Sequence, residues 1–530
     1  MKQMYCMVTV LVFLCSSVCC GVAAADQNTP AALKIALVHF AVTYRDIDKN
    51  LAELTALHRT AACQGAKIIF NTELALSGYS FSSRADVAPM TRTLNSRAVR
   101  HMAALARELG VYIGITFPEK DEATGSFYNS AVVLSPEGQM ICHYRKIYGE
   151  KRWARSGSPY QKNVFDTPWG RMGVAICADS YFGLIPRTAA VQGADLLWVP
   201  ANWPPTGSMS PLDVWQTRAR ENGMYLAACN RTGKDRTMDC TSAVSAVINP
   251  EGTVMEKTVS GESTLMVVQI PLKNGRIDSV PRQQRMASRK IAQYRQIYLD
   301  PWTENLTAYY QLPEPGRLQV RCIVPHKGPL NMAALENEVK QAPAKPASLW
   351  VLPQVNTRDL PPDALISLAR KYGTAFAVRF SDHGPELITA KGRESFLTHA
   401  PARPFPFDIR HLGPAAVAMV PMAELYHPEL SVILSKLGCD LVLLSELALS
   451  SADMVTGSVR TIDNLAVAGA GKDSGFVAHM KGIHGKLTTN RISGSAGVCS
   501  FDLDTAQTRE KTFYDRIDYD LLLTFEKGGK

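Results

Sequence analysis

The sequence predicts an α/β protein built from two similar halves. Three observations predict it. From Leu33 onward short β-branched runs alternate with segments of helical length, a polar break falls between about Lys273 and Gly316, and after Arg317 the alternation resumes with similar text in the same order. Alternating strand and helix is the pattern of sheets covered by helices. A chain of 530 residues exceeds one ordinary domain, and its 46% hydrophobic content is too high for disorder, so both halves are expected to fold.

In the first half Lys34 to Phe40 reads as a strand, Lys49 to Gln64 as a helix and Lys67 to Phe70 as the next strand. Arg97 to Leu109 is helical, and Tyr112 to Phe117, Ser130 to Ser135 and Met140 to Tyr144 are extended. Further strands are expected at Arg171 to Ile176, Ala194 to Pro200, Tyr225 to Asn230, Ser245 to Ile248 and Thr264 to Ile270. The stretch 273–316 is rich in Arg and Gln and contains Pro281, Pro301, Pro313 and Pro315, which marks it as the connecting segment.

Three blocks then repeat in order. Ala104 to Phe117 resembles Ser367 to Phe380, Gly170 to Cys177 lines up with Gly413 to Val420, and Gly193 to Trp198 lines up with Gly438 to Leu443. Preserved order points to internal duplication. The resulting domains are 32–272 and 317–530.

The start of the chain departs from this pattern. Lys2 precedes an uncharged run from Gln3 to Ala25, strongly apolar between Met7 and Phe13, which closes on Ala23-Ala24-Ala25 before Asp26. A basic start, an apolar middle and small residues before a charge make a cleavable secretion signal. Residues 1–25 are expected to be removed, leaving a secreted or periplasmic protein with no stable membrane span. The competing reading is an uncleaved anchor, against which stand the polar Ser16-Ser17 and the small-residue end. None of Cys15, Cys19 and Cys20 follows the Leu-small-small pattern of lipid attachment.

Of twelve cysteines, four lie in the first twenty residues, so 12 − 4 = 8 remain after cleavage, and no CxxC pair occurs among them. Buried free thiols are expected for most. Lys plus Arg exceed Asp plus Glu by 57 − 48 = 9, but with no run of five like charges the surface is only mildly basic, and no nucleic-acid partner is expected. No HExxH or HxxxH pair occurs, and no metal site is expected. Asn230-Arg-Thr232 and Asn305-Leu-Thr307 fit the glycosylation pattern, and Asn305, in the polar connection, is the better acceptor.

Glu73, Lys146 and Cys177 each follow a predicted strand. Strand C-terminal ends in α/β domains present side chains from a rigid platform, and a carboxylate, an ammonium and a thiol gathered there make a covalent catalyst. A thiol needs a base to become a nucleophile, and a carboxylate whose pKa burial raises can serve. The ammonium would stabilise the anion that forms when a carbonyl is attacked.

The local text sharpens this. Asn71-Thr-Glu73-Leu-Ala-Leu-Ser-Gly-Tyr79, Tyr144-Arg-Lys146-Ile-Tyr148 and Gly173-Val-Ala-Ile-Cys177-Ala-Asp179 resemble, in order and spacing, the three motifs of the nitrilase superfamily of carbon–nitrogen hydrolases. Trp215 to Gly223 and Ala228 to Gly233 are similar to the family's later segments. The resemblance implies an αββα sandwich, here tandem duplicated, with a Glu73-Lys146-Cys177 triad and no metal or organic cofactor. It implies Glu150 as the family's second glutamate and the Ala178 N–H as an oxyanion donor. Candidate pocket walls are Tyr181, Phe182, Asn202 and Trp203, the aromatics having domain core as their alternative. Asp179 could also cap the helix that follows.

Cys177-Ala-Asp179 is more similar to the amidase and carbamoylase branches than to true nitrilases, which implies a small-molecule amide substrate. Nitrile hydrolysis, pantetheinase- or biotinidase-like amide hydrolysis and acyl transfer by the same triad are the alternatives, and a secreted two-domain binding protein is the non-enzymatic one. In the second half Glu73 maps to Gln354 and Cys177 to Val420, while Lys391 is a weak match for Lys146. Neither glutamine nor valine can do the chemistry, so that half is expected to be inactive. Its expected role is to pair with the first half within one chain, in place of a second subunit, leaving a monomer.

Overall fold

The structure, a computed structural model, describes residues 32–523 apart from 206–208, 300–304, 326–327, 343–346, 398–405, 483–484, 512 and 514–515. The proposed signal lies outside the described residues.

The first half contains β1 (Ala32–His39), β2 (Ile68–Asn71), β3 (Tyr112–Lys120), β4 (Phe127–Leu134), β5 (Met140–Arg145) and β6 (Val164–Thr167). It continues with β7 (Gly170–Val174), β8 (Leu196–Ala201), β9 (Tyr225–Asn230), β10 (Val244–Ile248), β11 (Val254–Val259) and β12 (Thr264–Pro271). They form two six-stranded sheets, ordered β12-β1-β2-β3-β4-β5 and β11-β10-β9-β8-β7-β6. Apolar residues such as Leu37, Phe70, Val174 and Trp198 fill the space between the sheets. Helices Ile47–Cys63 and Arg97–Leu109 cover the first sheet over a separate cluster that includes Leu54, Ile69 and Met102. Alternate side chains of β1 and β2 thus feed two cores, as the two-residue period of a strand requires.

The second half repeats this arrangement with β13 (Arg317–Val324), β14 (Ser348–Val351), β15 (Ala375–Phe380), β16 (Gly384–Thr389), β17 (Gly392–Ser395) and β18 (Arg410–Leu412). It is completed by β19 (Ala415–Met419), β20 (Leu441–Ser445), β21 (Ala466–Ala470), β22 (Ser474–Met480), β23 (Leu487–Ser493) and β24 (Gly497–Asp504). Its sheets are ordered β17-β16-β15-β14-β13-β24 and β18-β19-β20-β21-β22-β23, the topology of the first half strand for strand.

Register fixes which residues correspond, and it corrects two sequence matches. The Asp195 N–H donates to the Arg171 carbonyl, and the Asp440 N–H to that of Ala416. Likewise Ala175 N–H donates to Trp198 O and Val420 N–H to Leu443 O. Val420 therefore matches Ala175, and the counterpart of Cys177 is Met422. The text match failed because it aligned Gly170 with Gly413, two residues out of register. Lys391 is no counterpart of Lys146 either, since it lies in the turn before β17 whereas Lys146 follows the end of β5. The Glu73 to Gln354 match holds: Glu73 N–H donates to Ala201 O and Gln354 N–H to the corresponding Glu446 O.

The two halves meet through helices. Leu184–Val191 and Pro211–Asn222 of the first contact Pro428–Lys436 and Ser451–Val459 of the second. Leu184 and Ile185 share one apolar cluster with Leu430 and Ile433. The approach is close at Gly183, where an added Cβ would come within 2.6 Å of the Pro428 Cβ. The connecting segment is also more ordered than its polarity suggests: it forms the helix Val280–Ala287, and its Arg282 and Arg289 are buried against Asp195 and Glu429. Two arginines of the polar connection are thus neutralised by carboxylates.

Candidate active site

Three strand ends converge in the first half. β2 releases Glu73, whose N–H reaches the Ala201 carbonyl at the end of β8 at 3.4 Å. β5 releases Lys146, whose N–H donates to the Asn129 carbonyl on β4 at 2.8 Å. β7 leads to Cys177, whose N–H donates to Pro200 O at 2.9 Å. The sheet edges thus fix all three backbones, and the side chains need only reach inward.

Lys146 Nζ donates to Glu73 Oε1 at 2.7 Å and also to Glu150 Oε1. The three charged groups are buried, and Glu150 closes the triangle because Asn129 Nδ2 donates to Glu73 Oε1 at 2.8 Å and to Glu150 Oε2 at 3.1 Å. Burial works against the ammonium, but the Glu150 and Glu73 carboxylates outweigh it and hold Lys146 well above its ordinary value. The two carboxylates thus favour the charged form of Lys146. Burial raises the Glu73 carboxyl against the pull of Lys146, which moves it toward the range in which a carboxylate accepts a thiol proton. Glu73 Oε2 is buried and has no hydrogen-bond partner.

Cys177 is buried, and burial together with Glu73 pushes its thiol well above the ordinary value. The Asn202 backbone N–H donates to its sulfur. Its φ of 46° and ψ of −102° lie in a region that non-glycine residues rarely occupy. Such strain costs about 1–3 kcal/mol and persists only where the surroundings enforce it. Here the enforcing contacts are the β8 hydrogen bond on one side and, on the other, Ser180, whose N–H and Oγ both donate to the Cys177 carbonyl at 2.9 and 2.7 Å. Ala178 opens the helix Ala178–Tyr181, directly after the thiol.

Asp179 does not cap that helix. Its Oδ2 accepts from Tyr144 Oη at 2.7 Å and Ile147 N–H at 3.2 Å, and its Oδ1 from Tyr148 N–H at 2.8 Å. It ties the Cys177 segment to the loop that carries Lys146, with its pKa raised by burial to about 6. Asn129 is the residue that sequence reasoning missed. Its only signal is an amide beside Ser130 at the start of a run that is apolar from Ala131 on, and its role depends on partners on other strands, which the sequence does not state.

The pocket candidates divide. Asn202 stands beside the sulfur, its Nδ2 on Met238 Sδ at 3.0 Å and its Oδ1 buried with no partner. Phe182 stacks near Tyr148, ring centres 4.5 Å apart. Tyr181, with Phe182 and Trp203 packed against it, belongs to an apolar cluster shared with the second half, and Tyr181 Oη donates to Met480 Sδ at 3.6 Å. All eight cysteines outside the proposed signal are free, and seven are buried. Cys63 is exposed, contrary to its expected packing role.

A family model described as carbon-nitrogen hydrolase matches residues 34–277. A nitrilase of Pyrococcus abyssi is 32% identical over 255 residues, which cover 47% of this chain and 94% of that one. The chain belongs to the carbon–nitrogen hydrolase family. The hydrolase is also 32% identical to an N-carbamoylputrescine amidase of Solanum tuberosum, over 45% of this chain and 86% of that one. It is 28% identical to the omega-amidase NIT2 of Homo sapiens, over 45% and 89%. Among solved structures, Saccharomyces cerevisiae Nit3 matches at 21% identity with a TM-score of 0.42, over 48% of this chain and 94% of that one. The hydrolase is thus an enzyme of carbon–nitrogen bonds other than peptide bonds, with amidases among its relatives.

Proposed function

We propose that the protein is a secreted amidase that cleaves a linear amide through a thioester on Cys177, with Glu73 as general base and acid and Lys146 as the fixed cation. One observation carries the reading: Glu73 presents Oε1 to Lys146 and leaves Oε2 buried without a partner, so one oxygen is anchored and the other is available for a proton. Glu73 takes the Cys177 thiol proton as the sulfur attacks the amide carbonyl. The oxyanion is held by Lys146 Nζ and the Ala178 N–H. The tetrahedral adduct collapses, the C–N bond breaks, and the amine leaves with the proton from Glu73. Water then loses a proton to Glu73 and attacks the thioester, and the carboxylic acid departs as the proton returns to sulfur.

The unpartnered Asn202 Oδ1 favours a substrate with an N–H to donate. That supports an amide or a carbamoyl amine, the classes named for two of the relatives, over a nitrile. Secretion rests on the pattern of Lys2 to Ala25. The second half, with Gln354 and Met422 at the two key places, is proposed to be inactive and to take the place of a partner subunit, giving a monomer.

The test is intact-mass spectrometry after brief exposure to ω-amides, N-carbamoyl amines and short nitriles. An acyl mass on Cys177 from an amide is expected. Cys177→Ala should form no adduct and show no turnover, with its melting temperature little changed. Amide turnover retained in that variant would refute the triad, and capture of the acyl group by added amine faster than by water would make the enzyme a transferase.

A further inference from the structure

A buried chain of charged side chains runs from the second half to the segment that carries Cys177. Arg460 Nη2 donates to Glu221 Oε2 at 2.5 Å, across the seam. Glu221 Oε1 accepts from Arg218 Nη1 at 2.9 Å. Arg218 also donates to the nucleophile helix: Nε to the Ser180 carbonyl at 2.9 Å and Nη2 to that of Tyr181. Ser180 in turn donates twice to the Cys177 carbonyl. Arg218, Glu221 and Arg460 are all at or below 1% exposure, so water cannot replace any link.

The far end of the chain is anchored as firmly. Arg460 Nε donates to the Leu425 carbonyl at 2.8 Å, which orients the guanidinium within the second half. The helix being held is four residues long and has no side-chain cap, and it begins at a strained φ. A helix that short does not hold its own shape. Its last carbonyls are satisfied by Arg218, and Arg218 is aimed by Glu221. With a lone arginine on one side, Glu221 would be free to rotate; Arg460 fixes its second oxygen. Burial raises the Glu221 carboxyl, but Arg218 and Arg460 outweigh it and keep it below the ordinary range, so the link is charged at working pH.

We propose that Arg460 is a positioning residue for Cys177: the second half, though without a catalytic set of its own, completes the nucleophile's support through Arg460, Glu221, Arg218 and the Ser180 carbonyl. The proposal rests on the reading of Cys177 as nucleophile. It makes the second half part of the active site's construction and not only a cover for apolar surface.

The probe is iodoacetamide on the full chain, with exposed Cys63 as an internal reference, each thiol followed by peptide mass spectrometry. In Arg460→Gln the rate at Cys177 relative to Cys63 is expected to fall about 10-fold or more, the scale of a small misplacement of a reacting group. Arg460→Lys, which keeps the charge, should recover most of the loss, and the pH profile of the Cys177 rate should move with the variant. Lys290→Ala, which breaks the exposed pair with Glu424 on the same seam, should leave the ratio unchanged. Glu221→Gln keeps the shape but not the charge and must slow Cys177 in the same sense. An unchanged ratio in Glu221→Gln overturns the proposal whether or not Arg460→Gln folds, and so does an equal fall in Lys290→Ala. If wild-type Cys177 forms no acyl adduct, the nucleophile reading fails instead, and the two failures are told apart.

Discussion

In the first half β3 and β4 run for nine and eight residues before they turn; in the second, β15 and β16 run for six each. The first pair keeps its ladder past Phe117 and Ser130 to Lys120 and Phe127, whereas the second stops at Phe380 and Gly384. By register Asn129 corresponds to His383, which lies exposed in the turn. The longer hairpin gives the first half the rung on which Asn129 grips both glutamates and from which its carbonyl receives the Lys146 N–H. The interior of the sheets is shared; the candidate site sits on strand ends that one half extends and the other cuts short. Core and candidate site therefore occupy different parts of the same strands, and the core can persist where the site's residues are absent.

Glu73→Gln tests the comparison most severely, since it gives the first half the side chain that the second carries at Gln354. A glutamine can still accept from Lys146, so folding should be kept, but it cannot take the thiol proton. Turnover of the amide identified by the adduct experiment is expected to fall by about 10²–10⁴-fold, the usual worth of a general base. Steady-state kinetics beside a thermal melt check it. A variant that keeps a tenth of the activity would mean that the base lies elsewhere and that the two halves differ for another reason.

Two buried acids, one at the site and one on the seam, answer pH in opposite senses. Asp179, at the site, is raised by burial to about 6 from 3.8, so its favourable contribution is complete below 3.8 and is lost as the pH rises through 6. Glu429, on the seam, has the opposite sign. Burial would raise it, but Arg187 at 3.4 Å and Arg289 at 3.0 Å prevail and hold it down at about 2 against 4.5. Its contribution is complete above 4.5 and drains away as the pH falls toward 2, a difference of about 3 kcal/mol for one such carboxyl. Glu429→Gln should therefore be less stable than wild type at pH 7 by a few kcal/mol, with the gap closing between pH 4.5 and 2.5 in urea melts. Curves that stay parallel through that range would remove Glu429 from the seam's acid response.

What the sequence made legible follows the same division. Strand interiors such as Leu196–Ala201 are readable because unbroken apolar runs admit few other fates, and Glu73, Lys146 and Cys177 stand out as candidates because the text around each, near a strand end, resembles a family motif. The edge strands Val164–Thr167 and Val254–Val259 are not readable, since the first is only four residues and the second carries Glu256 and Lys257 to solvent. Asn129 and the Arg460 chain were invisible because their meaning lies in partners 21 to 239 residues away. The Val420 match slipped for a related reason. Glycines at 170 and 413 begin similar text, but hydrogen-bonded register, not text, decides which residue reaches the strand end.

The smallest expected effect is the most pointed. Restoring the base and nucleophile to the second half, Gln354→Glu with Met422→Cys in a Cys177→Ala background, should produce no amide turnover. The new carboxylate would lack the cation that anchors Glu73. β17 ends at Ser395, whose pairing with Glu386 makes it the counterpart of His143, three residues short of the level of Lys146. Its hairpin partner has already turned, so no amide rung at His383 could hold a lysine between two acids. Position 354 is only half-buried, so a carboxylate there would titrate beside solvent without the fixed ammonium that the oxyanion also needs. Iodoacetamide should label the thiol introduced by Met422→Cys no faster than a buried packing thiol such as Cys439. Measurable hydrolysis would show that two residues, and not the longer strands beneath them, separate the half proposed to be active from the half proposed to be inactive.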